Sequence, residues 1–149
     1  MIEYKIEKAS AIVDEIKPLL HQQYEETEKH ITGLELDPDY DRYVKLDELG
    51  YLKCITCRLD NKLIGYAIFF IHQHIHHKTC LTASEDLYYI APEHRAGRVA
   101  YKLFKESERL LKEQRIQRII MSCKTYIDQT KLFEHLGFTL YEKHFTKMI

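Results

Sequence analysis

One stretch of this sequence constrains the fold more than any other, because it joins a buried strand to a helix through a basic turn. A compact apolar run at residues 87–91 predicts a buried strand, with bounds at residues 82–90, and Pro92 ends it because proline cannot donate to a ladder. Residues 96–112 have the spacing of an amphipathic helix. The turn that opens this helix reads Arg-Ala-Gly-Arg-Val-Ala over residues 95–100. It would bring free N–H groups, a helix N terminus and two guanidinium groups together, which favours binding of a phosphate.

Two other interpretations of this turn compete with the phosphate site. The simplest is a solvated basic turn without a ligand. Small side chains at Ala96, Gly97 and Ala100 favour a ligand instead, since they let it approach the backbone closely, and Arg95 and Arg98 would then flank a pyrophosphate. A dinucleotide-binding turn is excluded, because three spaced glycines and a βαβ unit with a later acidic residue are absent.

The other elements follow from hydrophobic periodicity and turn residues. Pro18 lies inside the first helical run, so that helix is expected to kink or restart there. Strands are predicted at residues 2–6, 52–59, 63–72, 82–90, 118–122 and 138–148, and helices from Ser10 through Tyr24 and at 39–49, 96–112 and 128–136. This order predicts a single α/β (α+β) domain over residues 1–149, with a mixed, mostly antiparallel sheet flanked by helices.

Charge and hydropathy exclude several classes of protein. The chain has 22 basic and 23 acidic residues, so no net field favours nucleic acid or an anionic membrane. No apolar run approaches the roughly 20 residues of a membrane span, and the N terminus lacks a signal-peptide pattern. We therefore expect a soluble cytoplasmic protein with reduced cysteines. An exposed sheet edge would allow a homodimer.

Four clustered histidines at residues 72, 74, 76 and 77, together with Cys54 and Cys57, suggest a zinc hypothesis. We reject it, because two cysteines three residues apart on a strand point to opposite faces and the chain between the two groups has the pattern of paired strands. No metal site is therefore expected. The histidines are interpreted as an exposed hairpin end, with His76 at the mouth of a substrate site.

The basic turn also resembles the acetyl-coenzyme A signature of the GNAT superfamily of N-acetyltransferases, Arg-x-x-Gly-x-Gly/Ala. Arg95 and Ala100 match the pattern, Arg98 occupies the first glycine position, and Gly97 comes one place early. A second segment, Phe-Glu-His-Leu-Gly-Phe, resembles the Tyr-Glu-x-Leu-Gly-Phe segment of that family, with Phe133 in the tyrosine position. Element order and length are similar along most of the chain.

This resemblance implies an enzyme that uses acetyl-CoA as cosubstrate and acetylates a primary amine of a small molecule or a protein, by direct attack in a ternary complex. In the family, the pantetheine arm lies along the fourth strand. The residues thereby assigned to the cosubstrate are Tyr88, Tyr89, Ile90, Arg95, Ala96, Gly97, Arg98, Val99, Ala100 and Phe133.

The chemistry requires a general base or a site that binds the neutral amine, because an alkyl amine with a pKa near ~10.4 is almost entirely protonated at pH 7. Glu85 and Asp86 lie early on the fourth strand, where several members of the family carry a catalytic carboxylate, and alternation lets only one of them face the cleft. Asp86 is preferred, and strict alternation would place it on the same face as Tyr88 and Ile90. Tyr126 is the candidate for the acid that a tyrosine supplies elsewhere in the family.

Two further points stay open at this stage. Glu25 and Glu26 are candidates for an acidic rim around a cationic substrate, although an ordinary exposed helix face is the favoured explanation for them. Phe133 and the imperfect turn also allow an alternative function, a catalytically silent CoA-binding or partner-binding module.

Overall fold

The computed structural model describes all 149 residues and contains one five-stranded sheet with helices on both faces. In chain order the elements are β1 (Ile2–Glu7), α1 (Ala9–Thr27), α2 (Tyr40–Glu48), β2 (Leu52–Leu59), β3 (Lys62–His74), β4 (His77–Ile90), α3 (Val99–Glu113), β5 (Arg118–Ile120) and α4 (Thr130–His135). The strands lie in the order β1-β2-β3-β4-β5; β1 to β4 are antiparallel, and β5 runs parallel to β4. None of the helices has the length and apolar character needed to cross a bilayer.

Both faces of the sheet are buried at its centre, because β3 is apolar from Leu63 to Ile71. In β3, Ala67 and Phe69 pack on the face that α3 covers, whereas Tyr66 and Ile68 pack on the face that α1 and α2 cover. This alternation is the two-residue period of a strand. Gly65 is required beside it, since a Cβ there would lie 2.7 Å from the carbonyl oxygen of Tyr89 on β4.

The first two helices show where local sequence rules hold and where packing overrides them. α1 continues through Pro18 as one helix, so the expected restart is wrong. The proline lies on the exposed side, and the buried Ile12, Ile16 and Leu20 hold both halves of the helix against the sheet. α2 begins where its cap predicts, with the Asp39 side chain accepting from the Arg42 N–H at 3.0 Å.

The strand pair that positions the candidate site separates along its length. β4 and β5 pair only between residues 82–84 and 118–120. One residue further along β4, the register with β3 shifts, so that Glu85 pairs with Phe69 and Leu87 pairs with Ile68. Asp86 has no partner and forms a β-bulge, which bends a strand and increases its twist. Residues 87–90 therefore have a free edge towards the end of β5.

Several predicted boundaries differ from the structure. β4 starts at His77 rather than at residue 82, because the long β3–β4 hairpin extends to the histidine turn. α3 starts at Val99 rather than at residue 96. Residues 138–149 contain no strand, so the last predicted strand is wrong. β5 is only three residues long and therefore offers little edge for another strand to pair with. Without such pairing, Tyr141 and Phe145 remain exposed.

Candidate active site

The bulge on β4 places two neighbouring carboxylates on opposite faces of the sheet. Glu85 accepts from the Ser122 hydroxyl at 2.5 Å, next to β5. Asp86 accepts from the Tyr43 hydroxyl at 2.5 Å, on the face that α2 covers. Only one of the two therefore faces the α1–α2 side, as strand alternation predicts.

The prediction that Asp86 shares a face of the sheet with Tyr88 and Ile90 is wrong. Leu87 and Tyr89 pack in the cluster of α1 and α2, on the side of Asp86, whereas Tyr88 and Ile90 pack in the cluster of α3. The bulge is the reason, because one extra residue reverses the alternation between the residues before it and those after it.

Both carboxylates have environments that suit a general base. Burial raises the pKa of Asp86, the hydrogen bond from Tyr43 opposes this in part, and the charge of Glu28 adds to the increase. Burial also raises the pKa of Glu85, against the two hydrogen bonds from Ser122. A carboxylate with a raised pKa is a stronger base than one in water and accepts a proton more readily.

A cavity of about 240 Å³ reaches Tyr43 and Leu87, next to Asp86. It lies between the second half of α1, the connection to α2, and β4. Its lining is part apolar and part acidic, and consists of Leu20, Gln23, Tyr24, Glu28, Leu34, Glu35, Leu36, Asp37, Pro38, Tyr43 and Leu87. The sequence analysis identified neither this cavity nor Tyr43, since no local pattern relates a helix tyrosine to a carboxylate 43 residues away.

The basic turn has the backbone that its sequence predicts. A single 3₁₀ turn at Pro92–His94 leads into it, and Gly97 has a φ of +73°, with open space where a Cβ would lie. None of the N–H groups of residues 96–101 donates a hydrogen bond within the protein, and α3 has no side-chain cap. Ala96 and Arg98 are exposed, and Val99 and Ala100 are half-buried. The turn thus presents unpaired donors to solvent at the positive end of a helix.

Arg95 and Glu26 contact each other, which the sequence analysis did not anticipate. The Arg95 guanidinium donates to Glu26 Oε2 at 2.7 Å and to the carbonyl oxygen of Ile90 at 2.9 Å, and lies 5.1 Å from the centre of the Tyr89 ring. The Tyr89 hydroxyl donates to Glu26 Oε1 at 2.5 Å. Burial raises the pKa of Glu26, but the hydrogen bonds from Tyr89 and Arg95 outweigh it and the net shift is downwards. Glu26 is therefore the partner of Arg95 in this structure.

The free edge of β4 presents free hydrogen-bond donors, whereas its acceptors are already bonded. Gln23 donates to the carbonyl oxygen of Tyr88 at 3.2 Å, and Arg95 bonds the carbonyl oxygen of Ile90. In an antiparallel strand the N–H and C=O of one residue point to the same side, so the N–H groups of Tyr88 and Ile90 also face away from β3. This edge therefore offers two N–H groups whose neighbouring carbonyls are already bonded.

Phe133 is part of an aromatic cluster rather than of a polar site. It is 7% exposed, and its ring lies 5.4 Å from Phe104, 5.7 Å from Phe138 and 6.2 Å from Tyr88. The Tyr88 hydroxyl donates to the carbonyl oxygen of Ser122 at 3.0 Å, which ties β4 to the end of β5. No proton donor occupies the position of Phe133.

Tyr126 lies in the connection after β5 and is 45% exposed. Its hydroxyl donates to the carbonyl oxygen of Thr27 at the end of α1, and Lys124 Nζ lies 3.7 Å from Glu28 Oε1. These two contacts join the segment after β5 to the end of α1. The candidate acid thus lies on the α1 side and already uses its proton in a hydrogen bond.

Two predicted substrate residues lie outside the group of contacts around Asp86 and Arg95. Glu25 pairs with Lys29 at 2.8 Å along the exposed surface of α1. His76 lies in the β3–β4 turn, where its ring stacks 5.0 Å from His74. The strand from that turn to Asp86 spans about 30 Å at the usual rise per residue, so the structure does not bring His76 together with the carboxylates.

The cysteines and histidines that suggested a zinc hypothesis lie apart in the structure. Cys54 and Cys57 pack on opposite faces of the sheet, as their spacing predicts. The His72 ring bonds the Ser84 hydroxyl at 2.7 Å, and no three side chains of His, Cys, Asp or Glu are grouped closely enough to hold an ion.

Comparison with known proteins is consistent with this geometry. A family model described as acetyltransferase (GNAT) family matches residues 13–138. No curated protein sequence matches the chain. Among solved structures, a possible acetyltransferase from Clostridium difficile 630 superposes with a TM-score of 0.76 at 17% identity, covering 100% of this chain and 99% of that one.

Two other solved structures are similar over their whole length. The ribosomal-protein-alanine N-acetyltransferase from Brucella melitensis biovar Abortus 2308 has a TM-score of 0.73 at 15% identity, with 100% and 99% of the two chains covered. A predicted acetyltransferase from Clostridium acetobutylicum, solved with acetyl-CoA, has a TM-score of 0.70 at 15% identity, with 99% and 96% covered. At these identities the likeness is one of fold.

Proposed function

The chain belongs to the acetyltransferase (GNAT) family, and we propose that it transfers the acetyl group of acetyl-CoA to a primary amine in a ternary complex. The observation that carries this proposal is the run of unpaired N–H groups over residues 96–101, at the start of a 15-residue helix. Backbone donors at a helix N terminus bind phosphate oxygens well, and coenzyme A carries a diphosphate. The similar fold from Clostridium acetobutylicum that holds acetyl-CoA supports the same choice of cosubstrate.

Arg98 supplies the charge that the backbone lacks. It occupies the position where the family pattern has glycine, yet its side chain is exposed and forms no ion pair, so it is available to a phosphate without filling the turn. Arg95 is engaged with Glu26 instead. In this proposal Arg95 either exchanges Glu26 for the diphosphate or stays in place to hold the end of β4.

The free edge of β4 suits the pantetheine arm. Amide groups of an extended ligand can bond a strand edge as a neighbouring strand does, and the N–H groups of Tyr88 and Ile90 are the available donors. One of these N–H groups would also lie near the thioester carbonyl and stabilise the negative charge that forms on its oxygen. The bonds from Gln23 and Arg95 leave donors, rather than acceptors, free at this edge.

Asp86 is the preferred general base, because it faces the cavity side and burial raises its pKa. Asp86 takes one proton from the bound ammonium group, and the neutral nitrogen then attacks the thioester carbonyl carbon to form a C–N bond. The nitrogen loses its second proton to solvent as the C–S bond breaks and the amide forms, and coenzyme A leaves as a thiolate. Because a thiol has a pKa near ~8.5, this leaving group does not depend on an acid at the position of Phe133.

Calorimetric titration with acetyl-CoA and with pantetheine tests the proposal. We expect acetyl-CoA to bind and to stabilise the fold, and pantetheine, which lacks the diphosphate, to bind far more weakly. Release of free thiol in the presence of a panel of amines then tests the reaction, and initial rates should increase with both substrates in an intersecting pattern.

Two results would contradict the proposal. Absence of acetyl-CoA binding would remove the cosubstrate site. Binding of acetyl-CoA without thiol release from any amine would support the alternative of a catalytically silent CoA-binding module.

A further inference from the structure

The lining of the cavity next to Asp86 indicates the chemical class of the acceptor amine, which membership of the family does not specify. Its inner end is formed by Tyr43 and Leu87, beside the half-buried Asp86. Its outer end is formed by Glu35 and Asp37, which are exposed. The lining of one cavity therefore joins the neighbourhood of Asp86 to two exposed carboxylates.

The charge of the lining has one sign. Three carboxylates line the cavity, those of Glu28, Glu35 and Asp37, and no basic side chain does. Lys124 approaches Glu28 to 3.7 Å, whereas Glu35 and Asp37 form no ion pair. The outer end thus holds two carboxylates that no cation of the protein neutralises.

The walls between the two ends are apolar. Leu20, Leu34, Leu36 and Pro38 line them together with the ring of Tyr24. The volume of about 240 Å³ corresponds to roughly eight groups of the size of a water molecule. A short unbranched hydrocarbon chain with a polar group at each end matches both the volume and the chemistry of the lining.

We infer that the acceptor is a primary amine whose short apolar chain carries a second cationic group, which Glu35 and Asp37 bind while the first amine reacts beside Asp86. This inference rests on the proposed function and names the substrate class of the same site. An anionic group at the far end of the chain would meet two like charges, and a neutral one would leave both carboxylates unused.

Three amines of equal chain length test the inference: 1,5-diaminopentane, pentylamine and 5-aminopentanoate. Thiol release from acetyl-CoA is measured with each, and acetyl-CoA binding is measured separately by calorimetry. We expect kcat/KM for the diamine to exceed that for pentylamine roughly tenfold, as two partly exposed ion pairs would give, and 5-aminopentanoate to react slowest. The advantage of the diamine should decrease as salt is added.

The double variant Glu35→Gln with Asp37→Asn should abolish most of this preference through a higher KM for the diamine, so that the ratio of kcat/KM for the diamine to that for pentylamine approaches one. Glu134→Gln, which removes an exposed carboxylate on α4 outside the cavity, is the matched control and should preserve the preference.

Equal kcat/KM for the diamine and pentylamine would overturn the inference, as would a preference that survives in the double variant. Absence of reaction with all three amines, while acetyl-CoA still binds, would overturn it as well. Loss of acetyl-CoA binding itself would instead contradict the proposed function, so the two failures are distinguishable.

Discussion

The turn at residues 95–101 and the cavity beside Asp86 lie on either side of the same strand end, and they are built in opposite ways. The turn offers backbone donors, an exposed Arg98 and a helix N terminus, all from one short segment. The cavity offers carboxylates and leucines from α1, the connection to α2, and β4. The first suits an anion and the second suits a cation. The two halves of the proposed reaction thus meet at β4 with complementary electrostatics.

The largest effect should come from the base. Asp86→Asn keeps the size of the side chain and the bond from Tyr43 but removes the proton acceptor. We expect kcat/KM to decrease roughly a thousandfold with acetyl-CoA affinity unchanged, within the usual range for general bases. Glu85→Gln is the matched control, since its carboxylate faces Ser122; an equal loss there would contradict the choice of Asp86.

A negative charge in the turn should weaken cosubstrate binding next most strongly. Ala100→Glu places a carboxylate among the free N–H groups of α3, where it would repel a diphosphate and occupy its donors. We expect the dissociation constant for acetyl-CoA to increase roughly a hundredfold, because a like charge at a binding surface costs several kcal/mol. Ala100→Ser should bind almost as the original chain does. Calorimetry would refute the turn as the anion site if both variants bound equally.

Arg95→Ala should raise the Michaelis constant for acetyl-CoA tenfold or more. The guanidinium joins Glu26, Tyr89 and the carbonyl of Ile90, so its loss removes charge near the turn and releases the end of β4. Glu26→Gln separates these effects, because it leaves the arginine in place and frees it. An unchanged Michaelis constant in Arg95→Ala would contradict both roles proposed for this side chain, binding the diphosphate and holding the end of β4.

The smallest effect should be a shift in pH dependence. The bond from Tyr43 lowers the pKa of Asp86 against the effect of burial, so Tyr43→Phe should raise that pKa further. Since the base must be deprotonated, the acidic limb of kcat/KM against pH should move to higher pH. Four other titratable side chains influence Asp86, and the Tyr43→Phe substitution leaves them in place: Glu28, Glu85, Cys54 and Tyr66. A limb that stays in place would show that Asp86 is not the group that titrates.

Local chemistry made much of the fold predictable. The hairpin turn at residues 60–62 has Asp60 and Asn61 at φ of 47° and 69°, a conformation that these two residue types tolerate well. Asp39 caps α2, and Gly50 follows it with a φ of +83°. Each of these features depends on residues within one turn of the chain, so the sequence displays them directly.

The candidate site was predictable only where it shares this local character. The turn at residues 95–100 was found because one segment contains it. The bulge at Asp86 could not be predicted, because it arises from the pairing of β4 with β3. No glycine or turn residue beside it indicates that β4 has an additional, unpaired residue there. The contact between Arg95 and Glu26 joins residues 69 apart, and helix spacing says nothing about it.

The bulge also limits how this protein can change. A single unpaired residue determines that Leu87 and Tyr89 face one layer of helices and that Tyr88 and Ile90 face the other. Substitutions in residues 85–90 alter one side chain at a time, but an insertion or deletion of one residue there would exchange the environments of four. The segment should therefore vary in composition much more readily than in length.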